Sequence, residues 1–146
     1  MDPGYGKGDV LVVKEGLSYD NMILQEPYDN IEQRILNDLI GEPYRATNLV
    51  KCYGKATAKV IESCKPNLEN EIQIGFRNIV CLGILATRHV VEIISGDSIK
   101  STVGIGDIVG QKFGNVIPFY SLHWYSNQSK QTQEELKTLL RKQLDE

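Results

Sequence analysis

Residues 71–96 read EIQIGFRNIVCLGILATRHVVEIISG, and nearly every position between Ile79 and Ala86 is apolar. A single strand of that length would be exceptional, because strands in globular proteins run to about 3–10 residues. A helix that is hydrophobic all round belongs in the middle of a fold. The stretch therefore predicts a central helix over residues 72–95, stopped by Gly96, with the other helices packed around it.

The rest of the chain can be read to suit that centre. With 146 residues there is enough chain for one domain with a substantial core. PYDNIEQRILNDLIGEP offers Asp29 or Asn30 as a cap and repeats Ile31, Ile35, Leu36 and Leu39 at helical spacing. Gly41 ends that helix and Pro43 prevents its resumption. From Thr47 to Cys64, the residues Leu49, Tyr53, Ala56, Val60 and Cys64 fall on one face of a second helix. In TVGIGDIVGQKFGNVIPFY the glycines at 106, 110 and 114 are spaced by four, which predicts a helix over Ile99–Val116 with a smooth ridge for close packing. GIGDIVG matches neither GxGxxG nor the P-loop pattern. Thr132 and Glu135 form a capping box before the stripe Leu136, Leu139, Leu140 and Leu144. The expected fold is all-α: a single domain, residues 1–146, with six or seven helices around a buried hydrophobic central helix. Residues 1–27 form an extended arm or irregular segment, although Val10–Val13 reads as strand, and residues 28–146 form the bundle.

Charge and cysteine usage narrow the function. The net charge is −3; residues 1–45 carry nine acidic and four basic side chains, residues 46–129 six and eight. Without a concentrated basic face, nucleic acid is not expected as a partner. Cys52, Cys64 and Cys81 show no metal-ligand spacing and suit a reducing, cytoplasmic setting, while their odd number leaves room for a cross-linked homodimer. No signal peptide or membrane anchor is read at either end. His89 and His123 lie in no metal motif and no serine sits in GxSxG. The expectation is a binding protein without catalytic residues, metal or cofactor.

GFRNIVCLGILATRHVVE, residues 75–92, resembles the first homology motif of the B-cell lymphoma 2 family of apoptosis regulators, including the short divergent versions carried by large DNA viruses. Phe76 stands at the motif's tryptophan, Ile79, Val80 and Cys81 at its Ile-Val-Ala, and Val91 with Glu92 at a Val-Glu pair. Asn78 falls at the arginine position, with Arg77 one residue before it. VKCYGKA is similar to the third motif, with Lys55 where an acid is usual, and IPFYSLHW to the second. The resemblance implies a hydrophobic groove that takes the amphipathic helix of a pro-apoptotic partner in the host cytoplasm. Leu49, Tyr53, Ala56, Val60, Phe76 and Val80 would line it, and Arg77 or Asn78 would meet the ligand's aspartate. The competing reading is a small α/β nucleotide- or metabolite-binding protein, with residues 104–110 at a strand-to-helix turn and Val10–Val13 as a strand.

Overall fold

Val10 to Val13 are four consecutive apolar residues with no polar face to turn towards water, the pattern of a strand buried on both sides of a parallel sheet. The computed structural model, which describes residues 5–6, 8–15, 31–49, 66 and 68–146, places them in that position. Strand β1 (Tyr5–Gly6) is followed by β2 (Val10–Lys14), helix α1 (Ile31–Ile40) and β3 (Tyr44–Asn48). Then come β4 (Asn78–Leu82), α2 (Ile84–Ser95), the short α3 (Ile105–Ile108), β5 (Val116–Phe119), α4 (Leu122–Ser126) and α5 (Lys130–Leu144). The sheet order is β1-β3-β2-β4-β5, with β1 antiparallel and the other four strands parallel. In register, Val12 lies between Ala46 of β3 and Val80 of β4.

Alternation along the strands divides the core into two. Val10, Val12, Val80, Leu82, Ile117 and Phe119 pack with Leu36 and Leu39 of α1 and Leu140 and Leu144 of α5. Leu11, Val13, Ile79, Cys81 and Val116 face the other way, onto Ala86, Val90 and Val91 of α2 with Leu49 and Leu68. The molecule is thus a three-layer α/β structure with helices on both faces of a mostly parallel sheet. Pro118 lies in β5, at the edge of the sheet, where a missing N–H is tolerated.

The all-α bundle is therefore corrected, and the central helix over residues 72–95 is where it fails. That stretch holds the end of one helix at residues 72–73, then a strand, a turn and a second helix: Asn78–Leu82 is buried at every position, Gly83 has φ 97°, and α2 begins at Ile84. A strand covered on both faces is as apolar all round as a central helix, so continuous hydrophobicity does not separate the two. The turn depends on glycine, because a side chain rarely adopts that φ. The helix expected over Ile99–Val116 is likewise replaced. α3 is four residues long, the chain turns at Gly114 with φ 64°, and β5 begins at Val116. Thr47 and Asn48, at the start of the helix expected over Thr47–Cys64, are the last residues of β3, and the remainder of that expected helix from residue 50 lies outside the described residues. The last helix starts at Lys130, capped by Ser129, whose hydroxyl accepts the Thr132 N–H at 3.2 Å. The α1 helix, its end at Gly41 and the leucine stripe of α5 follow the expected pattern.

Truncation of a core leucine tests this packing. Leu39→Ala should cost about 2–5 kcal/mol in urea unfolding, because Leu39 is fully buried between α1 and the sheet. Ile94→Ala, at an exposed position, should stay within about 0.5 kcal/mol of the parent.

Candidate active site

Four parallel strands end at the same edge of the sheet. The chain passes from β2 to β3 on one side, then returns to place β4 on the other side of β2. Such a reversal leaves a crevice outside the carboxyl ends of the two strands that flank it, where open α/β sheets bind their ligands. Here those ends carry Lys14, the last residue of β2, with Glu15 after it and Gly83 after β4, and Tyr120 and Ser121 next in line after β5.

Glu15 is the chemically prominent group. Burial pushes its carboxyl above the usual carboxylate range, and a hydrogen bond from the backbone of Leu85, in the first turn of α2, partly offsets that rise. A Cβ on Gly83 would overlap the Glu15 carboxylate, so the missing side chain gives the acid its place. A cavity of about 160 Å³ opens beside it, lined by Lys14, Glu15, Glu32, Leu82, Ser121, Leu122 and His123. Lys14, its side chain 7% exposed, donates to Glu32 Oε2 at 2.7 Å and so ties β2 to the first turn of α1. His123 is exposed on α4, its Nε2 3.4 Å from Asn127 Nδ2. Trp124, 39% exposed, stacks on Tyr120 with ring centroids 3.8 Å apart. Cys81 is no nucleophile: its thiol is buried and its pKa pushed well up by desolvation. A larger cavity of about 380 Å³ lies at the far end of α2 among Val91, Ile94, Ile99, Phe113 and Val116. It is apolar, with Asp97 the one ionisable group among the described residues that line it.

Five of the residues expected to form a peptide groove are described. Leu49 is buried beyond β3, and Val80 is fully buried in the middle of the sheet. Phe76 packs at the edge of the α2-side core. Arg77 pairs with Glu42, and Asn78 donates through Nδ2 to the Leu144 carbonyl at 3.0 Å. Phe76, Arg77 and Asn78 lie at the start of β4, the end of the sheet away from the cavity. Tyr53, Ala56 and Val60 lie outside the described residues. GIGDIVG is not at a strand-to-helix turn: it spans α3 ahead of β5, with Gly106 beside the Tyr120 hydroxyl. Lys14, Glu15, Glu32 and Ser121 were not singled out from sequence. Their signal was available in VLVVKE, NIVCLG and VIPFYS, three short apolar runs that each end in a polar residue or glycine.

A parallel sheet with helices on both faces and a desolvated carboxylate at its switch point defines an α/β protein with an enzyme-like crevice. Residues 16–144 match the sequence model of the uracil DNA glycosylase superfamily. That match spans most of the chain, and the protein belongs to this superfamily. No curated protein matches the sequence. Membership overturns the resemblance to the B-cell lymphoma 2 family, along with the apoptotic function and the pro-apoptotic helix as partner. The superfamily is one of DNA glycosylases, enzymes that act on DNA, so the expectations of a non-enzyme and of no nucleic-acid partner are corrected as well. The motif resemblance arose from Ile79-Val80-Cys81, which is strand here.

Desolvation of Glu15 carries a stability signature. Its folded pKa lies above the unfolded one, so the folded state binds that proton more tightly and loses stability as pH rises from the unfolded to the folded value. Glu15→Gln should accordingly be more stable than the parent at neutral pH. The difference should shrink towards zero as pH falls through the ordinary carboxylate range, as read by urea midpoints across pH.

Proposed function

We propose that this protein hydrolyses the N-glycosidic bond of uracil in DNA, with the target nucleotide turned out of the stack into the cavity at the ends of β2 and β4. The observation that carries this reading is Glu15, a carboxylate with raised pKa in a crevice that belongs to a chain of the glycosylase superfamily. A base inside a duplex is out of reach of any side chain, so a glycosylase must extrude it and meets the unstacking cost through contacts in its pocket.

The chemistry needs two things of the protein. The C1′–N1 bond breaks with its electron pair leaving on the base, and the sugar becomes electron-deficient at C1′. Water then adds to C1′ and gives up a proton. Glu15 is the group to orient that water and take the proton, since a base works best when its pKa approaches the working pH. As a carboxylate it also stabilises positive charge on the sugar. The departing base carries negative charge, and His123, in the same cavity, is a donor for it. Trp124 with Tyr120 offers a flat aromatic surface near this edge, and stacking on such a surface contributes about 1–3 kcal/mol per base.

The net charge of −3 is compatible with this reading. An enzyme that grips one extruded nucleotide needs fewer phosphate contacts than a protein that coats DNA, and each phosphate contact adds to the salt dependence of binding.

A duplex with a single deoxyuridine tests the proposal. The protein should release free uracil and leave an alkali-labile abasic site, with the matching thymidine duplex left intact. Glu15→Gln should slow release by about 10²–10⁴-fold while DNA affinity changes little. If neither single- nor double-stranded deoxyuridine DNA yields free uracil at high enzyme concentration, the proposal is wrong.

A further inference from the structure

The excision chemistry leaves one buried group of the cavity without a task. Lys14 lines the same space as Glu15, Ser121 and His123, and it is the one primary amine among the described residues that line it. Alternation along β2 puts Lys14 on the face of Val10 and Val12, towards α1, where its Nζ meets Glu32 Oε2 at 2.7 Å. A lysine held against a carboxylate at the end of a buried strand has two uses. It can be a tie between β2 and α1, or it can be an amine with a proton acceptor already in contact. The second use matters in this cavity, because the product of base excision is a sugar whose C1′ is an aldehyde in its open form. Amines condense with aldehydes.

We propose that Lys14 gives the protein a second activity, cleavage of the DNA strand at an abasic site through an imine between Nζ and C1′. The inference rests on the reading that the excised nucleotide occupies this cavity. Glu32 takes the ammonium proton, and the freed amine adds to the C1′ carbonyl. The carbonyl oxygen takes one proton from the adding amine and the other back from Glu32 and departs as water, leaving a protonated carbon–nitrogen double bond. That bond acidifies C2′, whose proton passes to the Glu15 carboxylate. The electron pair moves in to form a carbon–carbon double bond, the C3′–O3′ bond breaks, and the 3′ phosphate leaves with those electrons. Water then hydrolyses the imine, releasing Lys14 and an unsaturated aldehyde on the nicked strand. No oxidant, metal or further reactant is consumed.

Sodium borohydride reduces such an imine to a stable amine, so it captures the intermediate in the wild-type chain. The full-length protein is mixed with a duplex that carries a preformed abasic site, treated with borohydride and resolved on a denaturing gel. The adduct is then digested and the modified residue identified by mass spectrometry. A cross-link is expected, with the modification on Lys14 and a nick on the 3′ side of the abasic site when borohydride is omitted. Lys14→Arg should lose both, whereas Lys100→Arg, exposed and outside the cavity, should retain both. Mapping in the wild-type chain keeps the outcome readable even if Lys14→Arg fails to fold. Parallel incubation with the deoxyuridine duplex separates the two claims. Uracil release without a cross-link, or a cross-link mapped to any other amine including the N-terminus, overturns the lyase activity alone. Neither uracil release nor a cross-link overturns the excision reading, and the lyase activity with it.

Discussion

Parallel pairing of β2 with a neighbour on each side is the constraint on which the rest of the structure depends. Val10–Val13 hydrogen-bond to β3 on one flank and β4 on the other. Parallel neighbours cannot be joined by a tight turn, so each connection must cross over a face of the sheet, usually as a helix. The crossovers clothe both faces, which is why β2 and β4 can be apolar at nearly every position. Because β3 and β4 lie on opposite sides of β2, the chain reverses direction across the sheet there, and a crevice opens at the shared carboxyl edge. Lys14, Glu15 and Gly83 stand at that edge because of where β2 and β4 end.

The same constraint explains what could be read in advance. α1 was legible because a helix on the outside of a sheet has one wet face, so Ile35, Leu36 and Leu39 stand out against Arg34, Asn37 and Asp38. α5 was legible for the same reason, and Val10–Val13 was short enough between glycines to look like strand. Residues 78–95 were not, since a buried strand joined to a half-buried helix by one glycine has no wet face until α2 reaches Arg88, His89 and Glu92. Gly83 is the one break in that apolar run, and its φ of 97° marks the turn from strand to helix. Residues 102–120 misled through glycine spacing: Gly106, Gly110 and Gly114 are spaced for a ridge, yet Gly110 and Gly114 adopt positive φ, which ends helices rather than packing them. The crevice residues were obscured for a different reason. Glu15, Ser121 and His123 are distant in sequence and meet only when the parallel strands align their ends.

The site also shows where stability has been given up. A half-buried carboxylate beside a helix start, and a lysine held almost wholly buried against another carboxylate, are both costly arrangements for a structural purpose alone. Apolar residues such as Leu39 and Val12, in one cluster, hold the fold on the α1 face, and Lys14, Glu15, Glu32 and His123 collect around the cavity at one edge of the sheet. Proteins commonly accept such local strain where chemistry is done.

The crystal structure of the protein bound to a duplex that carries an uncleavable deoxyuridine analogue, such as the 2′-fluoro nucleotide, tests the central claim most directly. The analogue's base should be turned out of the helix and seated between Glu15 and His123, at the carboxyl ends of β2 and β4. A base left stacked in the duplex, or seated in the apolar cavity near Phe113 at the other end of α2, would contradict it.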